Sequence, residues 1–183
     1  KSVLLKCLAN LLTPDAGAIE LEGQPIAKSR QSSDREAGVS FSYMFQNNAL
    51  FDSMTAADNV ALPLVEASKM KRVEIRDHVA EMLAHLELTD SAQRYPGELS
   101  GGMKKRVALA RAFVVKPALL LADEPTGSLD AATGEAVLQL MLELNAELGT
   151  TLLLVTHDTA LAARCQRRIE VHAGEVTEAL SAA

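Results

Sequence analysis

Apolar positions recur at helical spacing in VLLKCLANLL, residues 3–12, and stop at Thr13-Pro14-Asp15, a turn signal, so the chain reads as opening inside a helix. GAIELEGQPI alternates apolar and polar positions around Ile19 and Leu21 before Gly23, the pattern of a short strand entering a turn. Residues 28–37, KSRQSSDREA, are polar and predict an exposed loop or weak helix. Three short runs follow: VSFSYMFQ (39–46), ALLLADE (118–124) and TTLLLVTHD (150–158). Apolar runs of that length suit strands covered on both faces of a parallel sheet, which show no polar side to water. Helical periodicity occupies 71–87, through Val73, Ile75, Val79, Met82, Leu83 and Leu86, and then 101–115 and 131–148. Strands alternating with helices predict an α/β fold, a mainly parallel sheet flanked by helices. The longest strand-free stretch, residues 55–115, predicts a mostly helical subdomain inserted into it. No internal repeat or low-complexity segment interrupts the pattern.

At 183 residues the chain is long enough for one sizeable core and short for two. Hydrophobic residues make up 48% and charged residues 23%, an ordinary globular balance. Its apolar runs fall far below the roughly 20 residues of a membrane-spanning helix. A net charge of −6 gives no general attraction to nucleic acid. The local cluster Lys104-Lys105-Arg106 reads as the solvated face of a helix. Cys7 and Cys165 lack metal-ligand spacing and read as free thiols of a reducing compartment. Because the first residue is Lys rather than Met, a preceding segment is expected, and targeting is not judged.

Ligands of open parallel sheets gather at the carboxyl ends of the strands. Here the first strand run ends in Gln46, the second in Asp123-Glu124 and the third in His157 with Asp158 next. Singly, these are a surface amide, the polar end of a strand and a capping residue. Their recurrence at the same end of three strands points to one site. Lys1-Ser2, directly before the first helix, matches the last two positions of the phosphate-binding pattern G-x-x-x-x-G-K-[ST]. In such a loop the lysine reaches the β- and γ-phosphates, the hydroxyl ligates Mg²⁺ and the helix N-terminus favours negative charge. Asp123, after four apolar residues, then takes the place of the second carboxylate of the Mg²⁺ sphere. Glu124 is suited to orienting a water and taking its proton. Gln46 is expected to hold the metal and the attacking water, and His157 to bind the γ-phosphate. LSGG (99–102) opens the next helical pattern, with Met103, Val107, Ala110 and Val114 on one face. Ser100 caps it, and Gly101-Gly102 expose backbone N–H groups as a second anion site. Two separated phosphate elements in one domain suggest paired copies, each completing the other's site.

These motifs together resemble the nucleotide-binding subunit of the ATP-binding cassette (ABC) transporters, a P-loop NTPase family, from Lys1 to about Val176. The likeness is carried by KS, FQNNALF, LSGGM, LLLADEP, GSLD and VTHD, in that order. It implies an ATPase using ATP and Mg²⁺, with the metal held by Ser2, Gln46 and Asp123 and catalysis by Glu124, His157 and Gln46. Two domains would pack head to tail, so that Lys1, Ser2, Gln46, Asp123, Glu124 and His157 of one copy face Ser100, Gly101 and Gly102 of the other, with Asp130 linking the sites. The partners implied are a second ATPase subunit and integral membrane permease subunits, not nucleic acid. The surface from Gln46 to Pro63 would receive a coupling helix, at the cytoplasmic face of the inner membrane. FQNNALFDSMTAADNVALPL and LSGGM look like the phospholipid-trafficking (Mla-type) ATPases, while DEPTGSLD and THDTALAARCQRRIEVHAGEV look like the lipoprotein-releasing (Lol-type) group, so a lipid or lipid-modified cargo is expected. Met103 replaces the commoner Gln, which loses that side chain's contacts and leaves the backbone site. The family's phosphate-wrapping glycines and adenine-stacking aromatic would precede Lys1, and neither Tyr43 nor Tyr95 substitutes. The chain as given is therefore expected to bind ATP poorly and hydrolyse none. Alternatives are a translation-factor-type ABC ATPase, with a second cassette in a longer chain, and an interaction subunit that binds ATP without turnover. A DNA-repair ABC ATPase would need a long coiled-coil insertion, which is absent between Lys1 and Leu99. His78, His85 and His172 receive no role.

Overall fold

The structure is a computed structural model that describes residues 1–21, 24–25 and 41–179. Its elements run α1 (Ser2–Leu8), β1 (Glu20–Leu21), β2 (Gln24–Pro25), β3 (Phe41–Met44), α2 (Ala56–Ala67), α3 (Arg72–His85), α4 (Gly101–Phe113), β4 (Leu119–Asp123), α5 (Ala131–Leu148), β5 (Thr151–Val155), α6 (Thr159–Ala163), β6 (Arg168–His172) and β7 (Glu175–Ala179). Single 3-10 turns at Thr89–Ser91 and Pro96–Glu98 lead into α4. The central sheet is parallel, in the order β3-β4-β5, as the apolar runs predict.

The middle strand shows why those runs carry no polar alternation. Leu121 packs with Leu5 of α1 and Ala9 just after it on one face, whereas Leu120 and Ala122 belong to the larger core that holds Met141 and Leu144 of α5. With helices on both faces, successive side chains of β4 from Leu120 to Asp123 are all buried. Thr150 Oγ1 donates to Pro117 O at 2.8 Å and Thr151 N to Ala118 O at 2.8 Å, so β4 and β5 start level and their far ends finish level.

α4 runs through the middle of the helical stretch. Val107, Leu109, Ala110 and Phe113 are fully buried on it, and burying a Leu or Phe side chain contributes about 1.5–3 kcal/mol. α2 and the sheet press on it from different sides, which explains an apolar surface wider than one stripe. α2 itself begins at a reciprocal cap between Thr55 and Asp58. Asn59, fully buried one turn later, receives Phe51 N–H at 2.8 Å and donates to the carbonyls of Phe51, Met54 and Thr55, fixing the loop before the helix. α5 starts at the Asp130 cap and stops at Gly149, whose φ of 65° is the left-handed conformation of a helix end.

Several expectations shift. The first helix ends at Leu8, because Asn10 turns left-handed (φ 54°) well before Thr13-Pro14. Val73, counted with the apolar positions of 71–87, is exposed on α3. Residues 28–37 lie outside the described residues, as do Val39 and Ser40 of the first strand run. α2 falls inside the helical stretch expected over 55–115 and carries Pro63 within it, whereas the β6–β7 hairpin lies beyond the predicted strands, its Ala173-Gly174 turn having φ of 50° and 88°.

Candidate functional site

Parallel register delivers the site. Met44 lies level with Ala122 and Asp123 with Val155, so the chain segments after the three strands emerge along one edge. That edge carries Gln46, Asp123-Glu124 and Thr156-His157, and the start of α1 is set against it. Ser2 Oγ donates to Asp123 Oδ1 at 2.9 Å, and Lys1 Nζ donates to Thr156 O at 3.3 Å. Thr156 Oγ1 donates to Glu124 Oε2 at 3.4 Å, and His157 Nε2 stands 3.4 Å from Glu124 Oε1. The result is a cleft of about 410 Å³ lined by Lys1, Ser2, Gln46, Glu124, Gly127, Val155 and His157. The residues read from the strand ends and the Lys-Ser pair line this cleft, except Asp123, which lies behind Ser2 and is 4% exposed, and Asp158, which caps α6.

Glu124 is held in a costly conformation. Its φ is 48°, left-handed for a side chain that has no local reason to adopt it. Its N–H is bound to Val155 O at 2.9 Å and its C=O accepts from Gly127 N at 3.1 Å. A Cβ on Gly127 would come within 3.2 Å of Glu124 Cβ, a tight approach that glycine avoids. The carboxyl therefore leaves the strand end turned into the cleft. Its Oε1 is buried without a hydrogen bond, since the His157 contact lacks hydrogen-bond alignment. An unsatisfied carboxylate oxygen facing a cleft is a group waiting for a donor or cation.

Asp123 is better supplied. Besides Ser2, Tyr43 Oη lies 3.5 Å from its Oδ2. Burial, and then the neighbouring Asp123 charge, push the Tyr43 hydroxyl up to about 12, so it stays protonated as a donor. A hydroxyl, a carboxylate and an amide oxygen form a hard donor set that fits Mg²⁺ held partly by phosphate oxygens. Among the described residues no three His, Cys, Asp or Glu side chains gather as an all-protein metal cage.

Ser100, Gly101, Gly102 and Asp130 lie apart from the cleft, at the adjacent starts of α4 and α5. Ser100 Oγ accepts from Met103 N at 3.3 Å and Asp130 Oδ1 from Thr133 N at 3.0 Å, and these hydrogen bonds to Thr133 hold the Asp130 carboxyl below its ordinary range. Helix geometry leaves the Gly101 and Gly102 amides without intrahelical acceptors. Gly101 is exposed; Gly102 is buried, and a Cβ there would sit 2.5 Å from Thr133 Cγ2. The glycine thus also serves the close packing of α4 on α5.

One expectation is overturned. Lys104-Lys105-Arg106 is not a solvated face: Lys105 is fully buried, with Nζ donating to Gln46 O at 2.8 Å. Arg106 reaches Leu86 O at 3.2 Å and Glu87 at 3.0 Å. Lys105 sits two positions before Val107 on a helix buried nearly all round, and a charge run hides such a position. Sequence reasoning also missed Thr156, Tyr43 as a donor to Asp123, and Arg111, whose guanidinium donates to Asn48 O at 2.6 Å and Ala49 O at 2.7 Å. None of these has a spacing signal; only Thr156, beside His157, is marked by its place at a strand end.

The ABC transporter family profile matches residues 1–127. A methionine import ATP-binding protein, MetN 1, of Pseudomonas savastanoi pv. phaseolicola is 41% identical over 179 residues, 97% of this chain and 53% of that protein. MetN 1 of Pseudomonas putida has the same identity and coverage. The chain spans about half the length of the curated relatives it matches. Among solved structures, the ATP-binding cassette MJ0796, dimeric and bound to ADP and Pi in a post-hydrolysis state, superposes with a TM-score of 0.86 at 34% identity over 100% of this chain and 81% of that one. A second dimeric structure of MJ0796, a bacterial ABC transporter cassette, gives 0.84 at 35% identity with the same coverage.

Proposed function

The chain belongs to the ABC transporter family, and from that premise we propose that it is the ATP-hydrolysing part of such a transporter, with the cleft at the strand ends as its nucleotide site. The observation that carries the reading is the meeting of Lys1, Ser2, Gln46, Glu124 and His157 around one opening, with a buried carboxylate oxygen of Glu124 unsatisfied inside it.

Lys1 neutralises phosphate charge, a role supported by its place in the cleft lining and its reach across to Thr156 O. Ser2, Asp123 and Gln46 would hold Mg²⁺, which when bound offsets charge on the phosphate oxygens. Glu124, turned inward by its backbone, accepts the proton of the attacking water. His157, 81% exposed at its side chain, is free to meet a terminal phosphate on the open side. Ser100, Gly101 and Gly102 supply the anion site that a second copy lays over the cleft, and Asp130, beside them, links the two sites. Residues 55–115 form the helical subdomain, and the surface from Gln46 to Pro63 receives the membrane subunits. No helix among the described residues is long and apolar enough to cross a membrane, in keeping with a peripheral subunit that acts through permease partners.

Two cargo readings stand. The motif wording suggests a lipid or lipid-modified protein, whereas the relatives are named for methionine import, which favours a small solute. Purification of the full-length protein with its membrane subunits tests both levels. Phosphate release that requires MgATP is expected, and identification of the co-purified cargo separates lipid from solute. A full-length complex that binds no ATP would overturn the assignment; one that binds ATP without turnover would leave an interaction subunit.

A further inference from the structure

We propose that Lys105 is a positioning residue for Gln46: from inside the protein it holds the Gln46 carbonyl and so sets where the Gln46 side chain stands in the cleft. The inference rests on the nucleotide reading of that cleft. Lysine is almost never fully buried without a partner, yet Lys105 is 0% exposed. The bound group is a backbone carbonyl, Gln46 O at 2.8 Å, not a carboxylate. Burial works against the ammonium, while Asp123 and Glu124 favour it through their field. An apolar side chain at this position of α4 would avoid that desolvation cost, so the lysine is explained by what it holds.

What it holds is a loop in need of support. After β3 the chain turns through Asn48 and Ala49, both left-handed with φ of 63° and 47°. Asn48 Oδ1 is buried without a hydrogen bond, so that oxygen does not secure the turn. Two cations of α4 secure it instead. Arg111 takes the Asn48 and Ala49 carbonyls at 2.6 and 2.7 Å, and Lys105 takes the carbonyl of Gln46, the loop residue that lines the cleft. α4 also carries Ser100 to Gly102 at its start, roughly 4.5–7.5 Å along the axis from Lys105 at 1.5 Å per residue. The helix that presents the second anion site therefore also sets the Gln46 backbone, and a displacement of α4 is transmitted to Gln46 through Lys105.

The test is a double-mutant cycle in the full-length protein with its membrane subunits, pairing Lys105→Met with Gln46→Ala. Lys105→Met alone is expected to lower kcat about tenfold or more, as for loss of a charge-assisted hydrogen bond, and to raise the Mg²⁺ concentration needed for half-maximal rate, with ATP affinity held. In the Gln46→Ala background the same substitution is expected to cost nothing further, because the group being positioned is gone. Lys105→Gln, which keeps a donor, runs through the same cycle with a smaller loss and serves in place of the methionine variant if that one fails to fold. Equal losses in both backgrounds, or an unchanged kcat, would overturn the positioning role. Absence of ATPase activity in the wild-type complex would strike the parent assignment instead.

Discussion

Gly102→Ala places a methyl group where there is no room for one. An ideal Cβ at this position lies 2.5 Å from Thr133 Cγ2, whereas Thr133 Cβ is at an ordinary 4.0 Å. Carbon atoms in contact settle near 3.5–4.0 Å, so the overlap is roughly 1 Å and involves one methyl. Thr133 cannot give way freely. It is β-branched, which restricts its rotamer in a helix, and its N–H is tied to Asp130 Oδ1 at 3.0 Å in the first turn of α5. Overpacking of this kind costs about 1–3 kcal/mol. Replacing a helical glycine by alanine returns about 0.5–1 kcal/mol, less at a helix start. The net expectation is a loss of about 1–2 kcal/mol, seen in urea unfolding as a lower midpoint with an unchanged slope. Thr133→Ser removes the offending methyl, so in that background Gly102→Ala should be neutral or slightly stabilising. An equal loss in both backgrounds would refute the close approach of α4 and α5 as the reason for glycine at 102.

Tyr43 should govern part of the alkaline behaviour. Its hydroxyl is raised from 10.0 to about 12, so the folded state keeps a proton that the unfolded chain releases; the stability it contributes is present in full below about pH 10 and is lost as pH rises through about 12. Tyr43→Phe should flatten the fall in Tm between pH 10 and 12, and an unchanged slope would count against a hydroxyl raised by burial and the neighbouring Asp123. Asn59→Ala strips a donor or acceptor from Phe51, Met54 and Thr55 backbone groups, and should lower stability by about 2–3 kcal/mol in denaturant unfolding. A change below about 0.5 kcal/mol would mean that water replaces it, as at ordinary surface sites.

The sheet and most of the cleft were legible because their signals are local. Four apolar residues before Asp123, and similar runs before Gln46 and His157, mark strands by length, and a parallel sheet then brings their ends together without further information. Lys1 and Ser2 are marked by their place before a helix. What was not legible depends on packing between distant segments. Lys105 stands in a charge run that implies solvent, and only tertiary packing around α4 buries it, with Nζ on Gln46 O. Gly102 is legible as a cap residue but not as the partner of Thr133, 31 positions on. α2 lies within the helical stretch expected over 55–115, but its start was not placed, although Thr55 and Asp58 form a capping signal that locates it. The β6–β7 hairpin turns on Ala173-Gly174, a pair in which only Gly174 advertises a left-handed residue.

The central claim is that Glu124, left-handed in backbone and unsatisfied at Oε1, takes the proton of water at a nucleotide held by Lys1, Ser2 and Asp123. Replacing it by glutamine in the full-length protein keeps size and removes the base. Turnover should fall at least about a hundredfold, as general-base removal does, while ATP affinity is retained. Hydrolysis at the wild-type rate, or loss of ATP binding with the substitution, would contradict the account.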